Sequence, residues 1–232
     1  MTRLHGFRFR LLIGIVGAGY VTVVFGLPLF VVAGTTHWPR AWILLAVVAV
    51  GSVVSTVCVT DEVVRARLAS PLQRGQPVAD RVLLLLAAPI AVAWYAIAPL
   101  DVFHLELLRR PPLVVSALGL VVLVAGFVVM TLALRENPFA AAAVSVQRAT
   151  GHHVIDTGVY GFVRHPMYSG GIGLLLGMPL WLGSWVATGL AIVPIAVLAV
   201  RVRIEEQLLS ERLDGYREYM RRVRYRLVPR VW

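Results

Sequence analysis

Five stretches of this chain run without a charged residue for long enough to cross a lipid bilayer: Leu11 to Gly34, Ala41 to Thr60, Val82 to Leu100, Pro112 to Leu134 and Met167 to Val200. Each reaches the roughly 18 to 20 residues that about 30 Å of hydrocarbon requires. A composition that is 59% hydrophobic, with a mean hydropathy of +0.80, lies well outside the range of water-soluble domains. The chain therefore reads as an all-α, polytopic membrane protein. Its first run follows Arg3, Arg8 and Arg10 and imitates a secretion signal. At 24 residues it exceeds a signal core of about 7 to 15, and no small-x-small cleavage site follows, so it is expected to stay as an anchor.

All 22 basic residues are arginine, and the formal net charge is +10. A charge of that size would suit nucleic acid if it were gathered on one surface, but these arginines divide by compartment. With the N-terminus cytoplasmic and the runs alternating, 19 fall inside and 3 outside. That is the positive-inside pattern of an integral protein of a plasma or inner membrane, with membrane lipids rather than nucleic acid as its surroundings.

The same distribution constrains the last run. A single crossing would carry nine arginines to the outer side, and one straight helix of its 34 residues would measure about 51 Å. Pro179, Gly183 and Ser184 stand near its middle, so residues 167–200 are expected to double back as a helical hairpin. The expected architecture is a bundle of four spanning helices plus this C-terminal hairpin, its two arms shorter or tilted, with both chain ends cytoplasmic. Residues 1–111 form a scaffold of three spans. Residues 112–232 hold the fourth span, a polar loop over 137–170, the hairpin, and a C-terminal helix that continues into the cytoplasm until Asp214-Gly215.

Several residues read as structural. Gly14, Gly17, Gly19 and Gly51 are small enough for close helix approach in lipid. Trp38, Trp42, Trp94 and Tyr95 have the character of interfacial anchors. Cys58, the lone cysteine, falls mid-helix and is expected to be inert. The connection Asp61 to Arg81 is mixed in charge and reads as a solvated or headgroup-contacting face.

Chemistry concentrates between His152 and Gly171, where HHVIDTGVYGFVRHPMYSGG interrupts very apolar sequence. Glycines at 158, 161 and 170, and Pro166 restricting His165, make this a shaped loop. The hairpin returns the chain to the same membrane face, so Glu205 and Glu206 should meet Tyr160, Arg164, His165 and Tyr168 around one pocket. His152, His153 and His165 lack a metal-ligand spacing such as H-x-x-x-H, and no metal is expected.

Gly158-Val159-Tyr160, then Arg164-His165-Pro166-Met167-Tyr168-Ser169-Gly170, then an uncharged hairpin, Arg203-Ile204-Glu205-Glu206, and a tail with Tyr216, Tyr219 and Leu227-Val228-Pro229 resemble the isoprenylcysteine carboxyl methyltransferase family and the related membrane phospholipid methyltransferases. The resemblance covers roughly Val128 to the C-terminus. It implies S-adenosylmethionine as methyl donor and a lipophilic or lipidated acceptor that enters from the bilayer. Position by position, it implies cofactor contacts at Gln147, His152, His153, Val154, Ile155, Tyr160, His165, Pro166, Met167 and Tyr168. It also implies an acidic contact at Glu206 or, one residue over, Glu205, and places Arg203 near the acceptor. Arg164 and His165 are the further candidates for the chemistry itself: a cation for the donor's carboxylate and, for an amine or thiol acceptor, a base.

Two other readings compete. A membrane reductase of the steroid 5α-reductase kind, using NAD(P)H, carries a similar Arg-His-Pro-x-Tyr segment, but usually with Asn where Met167 stands and Glu where Gly171 stands. A transporter would set polar residues deep in several helices, and the spans hold almost none beyond Ser52, Ser55, Thr56 and Ser116.

Overall fold

The computed structural model describes residues 2–68, 76–140 and 151–232, and within them every regular element is helical. In chain order they are α1 (Thr2–Ala33), α2 (Pro39–Cys58), α3 (Asp61–Leu68), α4 (Val78–Leu100), α5 (Leu113–Glu136), α6 (Pro166–Leu182), α7 (Trp185–Leu190), α8 (Ile192–Arg212) and α9 (Tyr216–Arg222). Five stretches are helical, long and apolar enough to cross a membrane: Gly6–Ala33, Pro39–Cys58, Val78–Leu105, Leu113–Glu136 and Trp185–Arg212. The chain is an all-α integral membrane bundle. The remaining arm, α6, has 17 residues and measures about 26 Å, so it is the short member of the expected hairpin.

That hairpin turns where its sequence allows. Gly183 adopts φ +98, a left-handed conformation suited to glycine, and a β-carbon there would fall 2.8 Å from Arg40 Nη1. Ser184 then caps α7, its Oγ accepting from the Ala187 N–H at 2.9 Å and donating to Asp101 Oδ2 at 2.6 Å. Arg40 and Trp181 clasp the tip reciprocally: the indole Nε1 donates to the Arg40 carbonyl at 2.7 Å, and the guanidinium donates to the Trp181 carbonyl at 3.4 Å and to Ser116 Oγ at 3.2 Å. A lone arginine between the first two spans thereby holds the far end of the hairpin.

Glycine does govern the tightest packing, though not mainly at the positions expected. Helices α5 and α6 run antiparallel with Gly119 against Gly177 and Gly126 against Gly170. A β-carbon at Gly126 would sit 2.6 Å from the Gly170 carbonyl oxygen, and one at Gly177 would sit 2.5 Å from that of Gly119. Gly17 and Gly19 have nothing within 4 Å of such a carbon, while Gly14 meets the Val53 backbone and Gly51 the Phe127 ring. Lipid tails offer no hydrophobic penalty to drive helices together, so it is the shape of backbone against backbone that locks α6 onto α5.

Three of the four expected interfacial aromatics are interior instead. Trp38, Trp94 and Tyr95 are buried in the central cluster with Leu29, Leu44, Leu123 and Trp181. Trp94 Nε1 donates to the Ala187 carbonyl and the Tyr95 hydroxyl to that of Phe25, at 2.9 and 2.8 Å, which satisfies the polar tips that otherwise favour a wet interface. Cys58 is the last residue of α2 and exposed, not mid-helix. The connection after α2 also departs from expectation. Val63 and Val64 of α3 pack against Phe9, Ile13 and Leu134, and Asp80, in the first turn of α4, is fully buried.

Candidate active site

The polar loop is anchored to the end of α5 before it reaches Arg164 and His165. Gly158 adopts φ +54, and a β-carbon there would fall 2.6 Å from Glu136 Oε1, so glycine alone permits so close a crossing. Thr157 Oγ1 donates to Glu136 Oε2 at 3.0 Å. A single 3-10 turn, Gly158–Gly161, leads to Arg164 and His165. Pro166 then opens α6, at the helical position where a missing N–H is harmless.

Arg164, His165 and Glu206 are all buried, and they meet. Arg164 Nε donates to Glu206 Oε1 at 2.6 Å, and its Nη1 donates to the carbonyls of Val223 and Arg224 at 2.7 and 2.8 Å. His165 Nε2 lies 3.3 Å from the same carboxylate oxygen, and Arg226 Nε donates to the other at 2.7 Å. A buried charge cluster is tolerable only when its members are bonded, and here one carboxylate answers two guanidiniums and an imidazole. Backbone pairs complete the assembly: the N–H groups of Arg164 and His165 donate to the carbonyls of Tyr225 and Arg226, each at 2.9 Å. The C-terminal strap is thus stitched along the Arg-His-Pro turn.

A second stripe faces this turn from α8. Arg201, Glu205 and Leu209 recur every four residues and so share a helical face. The Tyr168 hydroxyl donates to Glu205 Oε2 at 2.7 Å, and Arg201 Nε donates to Asp80 Oδ1 at 3.1 Å while its guanidinium lies 5.9 Å from the Tyr168 ring. Between the two stripes and the loop opens a polar cleft. At its other side His152 stacks on Phe139 with ring centroids 4.4 Å apart, and His153 meets the same ring edge-on. Burial, with the charge of His153 adding, lowers His152 to about 4 and keeps it neutral; burial likewise pushes the Tyr160 hydroxyl up to about 12.

Below this cleft lies a larger and almost wholly apolar cavity of about 520 Å³, lined from α1, α2, α4, α5, α6 and α8. Neighbouring turns of α6 and α8 line the two. Tyr168 borders the polar cleft and Gly171, Leu174 and Leu175 the apolar one; Arg201 and Glu205 border the first and Val197 and Leu198 the second.

His152, His153, Val154, Ile155, Tyr160, Arg164, His165, Met167, Tyr168 and Glu205 all line the polar cleft as the sequence anticipates. Gln147 lies outside the described residues. Pro166 is buried at the helix start and is not on the cleft wall, and Glu206 stands behind the wall in its ion cluster, so the acidic residue facing the cleft is Glu205. Arg203 is on the opposite face of α8, exposed, with its guanidinium 6.0 Å from the Trp232 ring; two residues earlier, Arg201 is the arginine that faces inward.

Sequence reasoning missed Asn137, Phe139, Arg201 and the pair Tyr216 and Tyr219 as lining residues. The four-residue spacing of Arg201, Glu205 and Leu209 carried that information. Arg67 belongs to the connection expected to form a solvated or headgroup-contacting face, yet α3 brings its guanidinium against the Met167 sulfur.

Residues 114–214 match the family described as phospholipid methyltransferase, so this stretch carries the domain of that group of membrane methyltransferases. Over 100 residues the chain is 31% identical to "Delta(14)-sterol reductase TM7SF2" of Mus musculus, an alignment that covers 42% of this chain and 24% of the mouse protein. The chain therefore spans about a quarter of the length of that relative.

Proposed function

We propose that this chain, whose residues 114–214 carry the phospholipid methyltransferase domain, transfers a methyl group from S-adenosylmethionine to a lipophilic acceptor held in the membrane. The observation that carries the reading is that neighbouring turns of α6 and α8 line two cavities: a polar cleft built on the Arg-His-Pro turn and an apolar chamber between the helices. The polar side chains of the first suit a nucleoside-bearing donor, and the apolar walls of the second suit a hydrocarbon tail.

The cleft's own groups fit such a donor. The Phe139–His152 stack and Tyr160 offer flat aromatic surface to adenine, and Glu205 accepts from ribose hydroxyls or an ammonium. When bound, S-adenosylmethionine supplies a methyl group already activated by its sulfonium, for in-line displacement. The protein's task is then to position the acceptor and exclude water. Arg164, with Nε and Nη1 committed to Glu206 and two backbone carbonyls, fixes the shape of the turn. His165 sits on the cleft wall with Nε2 toward Glu206, placed to orient the acceptor's headgroup and, for an amine or thiol, to take its proton. Arg201 lines the polar cleft about one helical turn from Val197 and Leu198 of the apolar cavity, suited to an acceptor carboxylate. The N- and C-terminal segments lie at the cleft's end of the bundle, Arg10 pairing with Asp61 at 2.8 Å; the arginine distribution assigns that end to the cytoplasm of a plasma or inner membrane.

The likeness to a sterol reductase supports a second reading, an NAD(P)H-dependent membrane reductase. A transporter is disfavoured, because the few polar groups in the spans satisfy one another: Thr56 donates to the Ser52 carbonyl at 2.8 Å, Ser55 pairs with Thr131, and Ser116 accepts from Arg40. Isothermal titration of purified protein with S-adenosylmethionine and with NADPH separates the first two. Binding of the former followed by methyl labelling of a lipid extract supports the methyltransferase; binding of NADPH alone overturns it.

A further inference from the structure

Four tyrosines line the polar cleft, and one of their hydroxyls differs from the rest. Tyr160 accepts from Asn137 Nδ2 at 3.3 Å, Tyr168 donates to Glu205 at 2.7 Å, and Tyr219 donates to the Tyr160 carbonyl at 2.8 Å. Tyr216 is only 4% exposed, and its hydroxyl has no hydrogen-bond partner among the described residues. Its placement is firm. Gly215, at φ +80, sets the start of α9, and the Tyr216 ring packs among Leu213, Tyr219 and Val223. An orphaned buried hydroxyl is a feature that native structures rarely carry without a use for it.

We infer that the Tyr216 hydroxyl donates a hydrogen bond to the nucleoside portion of the bound methyl donor. The inference rests on the methyl-donor reading above and adds a residue that the sequence motif leaves to packing. Burial, with Glu206 and Glu205 nearby, pushes the Tyr216 hydroxyl upward from its ordinary value, so it stays protonated and acts as a donor. The same surroundings select its acceptor. Glu205 faces this cleft, and a ligand carboxylate beside it would meet like charge. A neutral ribose oxygen or ring nitrogen meets none, and ribose hydroxyls can in turn donate to Glu205.

Tyr216→Phe removes the hydroxyl and keeps the ring. Since that hydroxyl bonds none of the described residues in the ligand-free protein, the variant's ligand-free thermal midpoint is expected at or above the wild-type value. S-adenosylmethionine, and 5′-methylthioadenosine as a nucleoside lacking the donor's carboxylate and amino group, are each expected to bind the variant about five- to tenfold more weakly. The nucleoside is read by displacement of radiolabelled donor. Equal donor affinity in both proteins overturns the inference and leaves the methyl-donor reading standing. A lowered ligand-free midpoint shows a structural bond and also overturns it. Methylthioadenosine that fails to displace donor from wild type, or displaces it equally from both proteins, overturns the nucleoside assignment. A wild-type protein that binds no S-adenosylmethionine ends both readings together.

Discussion

Arg164 and Glu206 are 42 residues apart in sequence, and their side chains meet at 2.6 Å with almost no exposure to solvent. The hairpin α6–α8 exists between them, so this contact reports directly that the chain has returned to its starting face. Glu206 also answers Arg226 at 2.7 Å and lies 3.3 Å from His165. Its substitution should therefore be felt by the fold before it is felt by any ligand. Removing one partner of a buried ion cluster typically costs about 3–5 kcal/mol, because the remaining charges stay out of water uncompensated. Glu206→Ala is expected to lower the thermal midpoint sharply or prevent recovery of folded protein, and Glu206→Gln to do so less. A Glu206→Ala protein with an unchanged midpoint in detergent would contradict this placement.

The α5–α6 seam makes a sharper test of packing, because neighbouring glycines in the same protein serve as controls. Gly126→Ala would drive a methyl group to 2.6 Å from the Gly170 carbonyl oxygen, and backbone cannot yield as a side chain can. Overpacking of this kind costs about 1–3 kcal/mol. Gly17→Ala and Gly19→Ala add a methyl where nothing lies within 4 Å, and alanine favours helix over glycine by up to about 1 kcal/mol. Thermal unfolding in detergent should show loss for the first variant and none for the other two.

What could be read from the sequence divides by the physics involved. The spans and the hairpin were legible because hydrocarbon thickness and arginine placement act on whole segments, and Gly183-Ser184 marks the turn by local chemistry. Nine residues of the cleft were legible through the His152 to Tyr168 segment, where polar residues interrupt apolar sequence. The register of α8 was not. Arg201 and Arg203 are both plausible in composition, and only the helical phase that also aligns Glu205 and Leu209 distinguishes them. The interior positions of Trp94 and Tyr95 were equally hidden, since what allows them is a carbonyl supplied by a distant helix. Asp80 reads as part of a charged connection until α8 arrives with Arg201.

His152 gives a prediction in pH. Burial holds it at about 4 in the folded protein against an ordinary value near 6.5. A group whose folded pKa is depressed contributes stability above its unfolded pKa, and that contribution is lost as pH falls toward the folded one. Wild-type protein should therefore lose stability between about pH 6.5 and 4 as the stack on Phe139 is forced to accept charge. His152→Phe keeps an aromatic stack that cannot titrate. The difference in thermal midpoint between the two proteins should grow in the variant's favour across that window; a difference flat in pH would contradict the assignment.

Arg201 and Arg203 can be told apart by turnover. Arg201 faces the polar cleft about one turn from Val197 and Leu198 of the apolar cavity, and it is held by buried Asp80 at 3.1 Å. Arg203 lies on the far face of the same helix against Trp232. Glutamine is the informative replacement at Arg201, since it retains a hydrogen-bond donor for Asp80 while removing the positive charge that an anionic acceptor would meet. Arg201→Gln is expected to lower kcat/KM for a carboxylate acceptor by about tenfold or more, with donor affinity little changed, because the lost interaction is on the acceptor side. Arg203→Gln should stay within about twofold, as exposed substitutions away from such contacts usually do. The family resemblance predicts the reverse order, so a larger loss at Arg203 would mean that α8 is rotated from the phase in which Arg201, Glu205 and Leu209 line the cleft.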